Sequence, residues 1–188
     1  MSVFIAVADS DRTRPLLHEL EHIVASWPCP VLNQPGRLAL LSREDASHLL
    51  ADIAGVDMPL SVRIGRHDLE TAAHGEQTIR HLIGDGDFPI IVRPVDSQAG
   101  RGLAKLDGAQ DIGAYLGETT EREFYLARFV DYRGQDGLFR KLRIMFIEGR
   151  PFIAHMAISE HWMIHYLNAA MDESEAKRAE EASVMAAF

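Results

Sequence analysis

Short β-branched runs, bounded by polar and glycine-bearing turns, alternate along this chain with stretches in which apolar residues recur every three or four positions. That alternation of periods two and 3.6 predicts a mixed α/β fold. Residues 3–8 are rich in Val, Ile and Phe and predict a strand. Asp9, Ser10 and Asp11 then offer N-cap chemistry for a helix reaching to about residue 26. Its Leu16, Leu17, Leu20, Ile23 and Val24 form a stripe at helical spacing, expected in the core. Ser42 starts a second helix over 43–53, with Ala46, Leu49, Leu50 and Ile53 facing inward. A strand near 60–64, a helix over 76–83 and a turn at 84–87 lead into a strand that opens at Phe88. A helix over 107–116 breaks at Gly117, two or three strands occupy 124–156, and the Ala- and Glu-rich residues 172–187 predict a terminal helix. No repeat, low-complexity tract or linker interrupts this order.

The segment 88–103, Phe-Pro-Ile-Ile-Val-Arg-Pro-Val-Asp-Ser-Gln-Ala-Gly-Arg-Gly-Leu, joins a buried-strand signal to a polar turn. Ile90, Ile91 and Val92 fill a strand, and Arg93 sets a fixed cation at its end. In the turn from Ser97 to Gly102, Gly100 and Gly102 let the backbone approach a ligand, and successive amides in such a turn can surround phosphate oxygens. The loop is not a Walker A loop, which ends in Gly-Lys-Ser/Thr. Taken alone, the motif reads first as an ordinary hairpin carrying a surface arginine.

With its flanks, the segment resembles the core signature of the ATP-grasp superfamily, in which a strand of the form Pro-(apolar)-Val-Lys-Pro runs into a Gly-rich loop over the nucleotide phosphates. Arg93 stands where that family usually has Lys, keeping the charge and adding a planar fork of donors. Residues 30–36, 41–50 and 55–59 are similar to the segments that lead into such domains. Glu123-Phe-Tyr-Leu-Ala-Arg-Phe-Val130 resembles the hinge strand whose backbone receives adenine, and 139–153 resembles the hairpin that follows. The combination resembles in particular the ATP-grasp domains of amino-acid ligases that glutamylate ribosomal proteins, and related domains fused to helical repeats.

The resemblance implies an α/β (α+β) ATP-grasp-like fold of two small lobes of mixed or antiparallel sheet with flanking helices. It divides the chain into an N-terminal α/β segment, 1–58, a small lobe with the Gly-rich loop, 59–122, and a partial large lobe, 123–188. It implies ATP as cofactor and a carboxylate–amine, or thiol, ligase acting through an acylphosphate. Arg93, Ser97, Gly100, Arg101 and Gly102 become candidate phosphate contacts, and Arg128, Phe129 and Val130 candidate hinge contacts. Arg128 departs from the acidic or neutral residue often found there, and a structural ion pair is its alternative. No residue is identified as catalytic. The family holds magnesium on an Asp or Glu of one late strand and a Glu-x-Asn of the next. After Asn168 only the carboxylates of 172–181 remain, and these are expected on a solvated helix face without strand partners. Both ends look cut relative to the family, so a truncated, inactive fragment is expected, with magnesium bound only by the complete domain. The unpaired sheet edge left by missing strands favours self-association as a homodimer. The alternative is a non-catalytic nucleotide-binding or regulatory module of a larger protein.

On the hairpin, strand alternation puts Lys141 and Arg143 on one face, a candidate phosphate pair whose alternative is a solvated strand face. His161 and His165 have the i, i+4 spacing of a helical metal pair. Trp162 occupies the place of the Glu in a zinc His-Glu-x-x-His motif, so no metal site is expected. Sequences this chain resembles carry a similar His-(apolar)-Ala-Ile-Ser-x-His-Trp segment near the acceptor or phosphate site. Ser159, His161, His165 and Asn168 are candidate contacts on that ground, with Trp162 and Tyr166 expected to pack.

Composition changes little. A net charge of -9 argues against coating nucleic acid. The single cysteine, Cys29, lies between two prolines and excludes an internal disulfide framework. No apolar run approaches the ~20 residues of a membrane span, and residues 1–7 lack the basic segment of a targeting signal, so a cytoplasmic protein without membrane partners is expected.

Overall fold

The computed structural model describes residues 2–165 and 168–188, which leaves Tyr166 outside the described residues. The chain forms two compact units, Met1–Phe129 and Val130–Phe188. Both are mixed α/β with small sheets and flanking helices.

The first unit opens with a two-residue strand, β1 (Val3–Phe4), parallel to β2 (Val31–Leu32). Between them, α1 (Arg14–Val24) begins later than residues 9–11 suggested. Those residues build the turn before it instead. Asp9 receives the Arg14 guanidinium at 3.2 and 3.0 Å, and the Thr13 hydroxyl donates to the Ala8 carbonyl at 2.6 Å. Pro15 sits in the first turn, where an N–H would have no helical partner anyway. The apolar stripe is narrower than expected. Leu17 and Val24 are buried, while Leu16 and Ile23 are exposed, because α1 packs on the short α2 (Pro35–Leu38), which covers only a narrow face.

Helix α3 (Arg43–Ala51) starts where Ser42 predicted, with the Ser42 hydroxyl accepting from the Asp45 amide at 3.0 Å. Its inward residue was not foreseen. Leu49 and Ile53 are exposed, and Ser47 is fully buried, donating to the Glu44 carbonyl at 2.8 Å and accepting from the Ser61 amide at 2.9 Å. A polar bond thus pins α3 to the segment entering the main sheet.

That sheet comprises β3 (Val62–Gly65), β4 (Ile90–Pro94), β5 (Ala104–Leu106) and β6 (Glu123–Arg128), ordered β3-β6-β4-β5 with every neighbour antiparallel. One face packs against α4 (Arg66–Ala73), α5 (Ile79–Ile83) and α6 (Ala109–Gly117). Ile64, Ile90, Val92, Leu106, Phe124 and Leu126 meet Leu69, Ile79, Ile83, Ile112 and Leu116 there. Helix α4 had no sequence signal because it buries only Leu69 and Ala72. The helix expected over 76–83 is confined to α5, where the Thr78 hydroxyl caps the His81 amide at 3.2 Å.

In the second unit, β7 (Phe139–Ile147) and β8 (Arg150–Ser159) form an antiparallel hairpin with an irregularity between Arg143 and Ile144, followed by α7 (Glu175–Ala187). Phe139, Met156, Ala157 and Ile158 pack with Ile164, Ala169 and Met171, and the hairpin tip leaves Phe146 and Ile147 exposed. Two carboxylates read as solvated have strand partners after all. Glu180 pairs with Arg140 at 2.5 Å, and Glu181 accepts from the Met156 amide at 2.9 Å. The outer edge of β8 presents N–H groups that need acceptors, and α7 supplies one. Residues 161–163 form a bend, so the helical face proposed for His161 and His165 does not exist. Among the described residues, no helix is long and apolar enough to cross a membrane.

Candidate anion-binding site

Alternation along the four-stranded sheet sends Ile90, Val92 and Leu126 to the core and their neighbours to the opposite face. On that face Arg63, Tyr125 and Arg93 stand in one cross-strand row, and Ala127, Ile91 and Lys105 in the next. The sheet therefore gathers three cations on the face opposite that core, around the buried Tyr125.

Their charges are compensated unequally. Arg63 is held by Asp11 at 2.7 Å and Glu123 at 2.5 Å, and these carboxylates raise its pKa. Lys105 pairs with Asp107 and lies 5.0 Å from the centre of the Phe129 ring. Arg93 meets no carboxylate among the described residues. It donates from Nη2 to the Ser97 carbonyl, and from Nε and Nη2 to the Ser97 hydroxyl at 3.2 and 3.0 Å. Burial, and then repulsion from Arg43, lower its pKa to about 10. It stays charged at neutral pH, as an uncompensated cation.

The loop beside it has the conformation expected of an amide nest. Ala99, Gly100 and Gly102 have φ of 53, 75 and 65°. Ser97 donates to Pro94, Arg101 to Gln98, and Leu103 to Gly100, through backbone bonds that close the turn. Among the described residues, the amides of Gln98, Ala99, Gly100 and Gly102 donate no hydrogen bond. Such groups are the ones an anion can recruit. The Tyr115 hydroxyl donates to the Gly102 carbonyl at 2.9 Å and so ties the loop end to α6; burial pushes its pKa up to about 12. Ser97 is buried, and Arg101 is exposed at the loop tip.

The hinge candidates are placed differently. Arg128 donates to Asp85 at 3.0 Å and Asp57 at 2.5 Å, the structural ion pair that was its alternative reading. The Phe129 amide donates to the Pro89 carbonyl at 2.8 Å, and Val130 begins the second unit.

In the second unit, Lys141 and Arg143 project to the same side of β7 opposite Ala157 and His155. The Lys141 ammonium donates to the Ile164 carbonyl at 2.9 Å and so anchors the segment that follows β8. The buried Ser159 hydroxyl accepts from the His161 amide at 3.0 Å, and the Asn168 side chain accepts from the His165 amide at 2.8 Å. Lys141, Ser159, His161, His165 and Asn168 thus belong to one hydrogen-bonded segment, with Arg143 exposed beside it. Among the described residues, no group of three or more His, Cys, Asp or Glu is placed to hold a metal ion.

Sequence reasoning missed Tyr125 and Lys105 on the cationic face, because strand order and register, not local pattern, bring them beside Arg93.

No protein-family model matches the chain, and no curated protein does. Among solved structures, the chain is similar to the VanG D-Ala:D-Ser ligase of Enterococcus faecalis, with 18% identity over 97% of this chain and 54% of that one, at a TM-score of 0.49. It is also similar to the D-alanine-D-alanine ligase of Helicobacter pylori, with 10% identity over 78% of this chain and 44% of that one, at 0.47. A third is a RimK domain protein ATP-grasp from Sphaerobacter thermophilus DSM 20745, with 17% identity over 96% and 62% of the two chains, at 0.45. The chain spans about half the length of the first two, and at these identities and TM-scores the likeness gives no residue its role.

Proposed function

We propose that the chain is an ATP-binding domain of the ATP-grasp type, belonging to a carboxylate–amine or carboxylate–thiol ligase, and that the loop 97–102 with Arg93 receives the nucleotide phosphates. The observation that carries this reading is the coincidence of four undonated amides, positive φ at Ala99, Gly100 and Gly102, and a half-buried arginine without a carboxylate partner. In such a ligase, ATP phosphorylates a carboxylate, and an amine or thiol then attacks the acylphosphate and displaces phosphate. The part read here is polyphosphate binding. Arg93 offers two fixed N–H directions and the loop amides offer more, without reorganisation when the anion arrives. Lobes over 59–122 and 123–188, a preceding segment over 1–58, and a cytoplasmic location belong to the same proposal. Phe129 and Val130 are proposed adenine-side contacts, and Arg143, Ser159, His161, His165 and Asn168 proposed ligand contacts of the second unit.

Magnesium would offset phosphate charge in such a ligase. The described carboxylates do not fit that task, because none are grouped for a metal, so no step is derived through the ion. The alternative reading is a nucleotide-binding or regulatory module without turnover of its own.

Calorimetric titration of ATP, with and without magnesium, tests the proposal on wild type and Arg93→Ala. Loss of charged hydrogen bonds worth about 1.5–3 kcal/mol predicts binding at least tenfold weaker in the variant. Equal affinity in both removes Arg93 from the site. Phosphate release above background with magnesium would instead favour the ligase over the module.

A further inference from the structure

We propose that α7 is a strap that leaves the β7–β8 hairpin while the hairpin stays folded, and that ionic strength controls its release. The inference is independent of the nucleotide reading and uses only contacts within the second unit.

Helices in this chain are held in two different ways. Helix α6 buries Ile112, Tyr115 and Leu116 within its 9 residues, whereas none of the 13 residues of α7 is buried. Val184 lies partly buried against the hairpin core, and Met185 is exposed. The other contacts of α7 are polar. The Arg140 guanidinium donates from Nε and Nη2 to the Glu180 carboxylate at 2.5 and 3.1 Å, and Glu181 accepts from the Met156 amide at 2.9 Å. Nearer the start of the helix, the Lys177 ammonium donates to the Ala169 carbonyl at 2.8 Å and Arg178 to the Met171 carbonyl at 3.0 Å. Each of these bonds involves a formal charge. The Arg140 and Glu180 side chains are 29% and 38% exposed, so dissolved ions reach and screen the pair.

Release leaves the hairpin whole because Arg140 has a second partner. Asp136 accepts from its Nη1 and Nη2 at 3.1 and 2.6 Å, so the guanidinium stays paired when Glu180 departs. What opens is the outer edge of β8 at Met156, together with the segment 168–172, whose Ala169 and Met171 carbonyls α7 holds. That segment carries Asn168, so docking of α7 also fixes the side chains gathered after β8. Local opening of this kind costs least where apolar contacts are few and the bonds are exposed to solvent.

Amide exchange followed by NMR on the intact chain tests the strap, at about 0.01 M and about 1 M NaCl, where the screening length falls from ~30 to ~3 Å. The strap predicts that the α7 amides and the Met156 amide exchange several-fold faster at high salt. Amides that pair β7 with β8, and those of Ile90 and Val92 in the first unit, should change little. Glu180→Gln and Glu181→Gln keep the shape and remove the charge, so they should bring the low-salt rates toward the high-salt ones and flatten the salt response. Val184→Ala should speed exchange at both salts and keep that response. If a variant fails to fold, the salt response of the wild type decides. Exchange of α7 in step with the β7–β8 ladder overturns the strap, because the helix then opens only with the hairpin. Salt-independent exchange of α7, with Val184→Ala faster than either Gln variant, also overturns it and makes α7 a helix held by apolar packing.

Discussion

A Cβ added at residue 102 would lie 2.8 Å from both Cδ and Cγ of Pro94, in a backbone with φ of +65°. Gly102 is therefore needed for packing as well as for approach to a ligand, and the two demands can be separated. Forcing an L side chain into the left-handed region costs about 1–2 kcal/mol, before the prolyl contact is relieved. Gly102→Ala is expected to lower urea-unfolding stability by at least that amount, and an unchanged midpoint would show that the loop relaxes freely. Gly100→Ala, at φ of 75°, is expected to weaken ATP binding as well, through the displaced amide. Arg93 and these glycines were legible because their chemistry is local: a β-branched run, a terminal cation and a turn lie within one segment of 16 residues, 88–103. The row of Arg63, Tyr125 and Arg93 was not, since it is made by the pairing of three strands far apart in the sequence. Ser47 likewise read as an ordinary helix residue while Leu49 read as core. The buried bond to Ser61 reverses that order, because an amide left without an acceptor costs more than an exposed leucine.

Elements were legible where capping or β-branching was strong. Ser42, Thr78 and Ser174 each accept a hydrogen bond from the amide three residues on, and the helices there begin where those caps allow. Helix α4 lacked both a polar cap side chain and a broad apolar stripe. Its N-cap is Gly65, whose amide donates to the Asp68 carboxylate at 2.9 Å. For α7 the error lay in its surroundings, because a carboxylate-rich helix reads as solvated until the strand edge that needs an acceptor is known. That edge gives a test. Glu181→Ala leaves the Met156 amide without this acceptor, and about 1–2 kcal/mol of stability should be lost. Glu175→Ala, in the first turn, has no strand partner to lose among the described residues and should remove only the dipole contribution of a fraction of a kcal/mol. Equal losses in a denaturant titration would mean that the Glu181 bond contributes nothing beyond helix electrostatics.

At the scale of the whole molecule, the anion-binding character is local. The chain carries a net charge of -9, so a polyanion is attracted only where arginines lack carboxylate partners. One group of exposed apolar residues, Met145, Phe146, Ile147 and Phe152, gathers at the β7–β8 tip. Such a tip favours association between copies, so sedimentation velocity should show species larger than monomer as concentration rises. Phe146→Ser should suppress them. The central claim is that the loop 97–102 with Arg93 receives phosphate, and an amide NMR titration with ATP tests it most directly. The account predicts that the largest shifts fall on Gln98, Ala99, Gly100 and Gly102 and disappear in Arg93→Ala. Shifts confined to other residues, or shifts in the loop that survive the loss of Arg93, would contradict it.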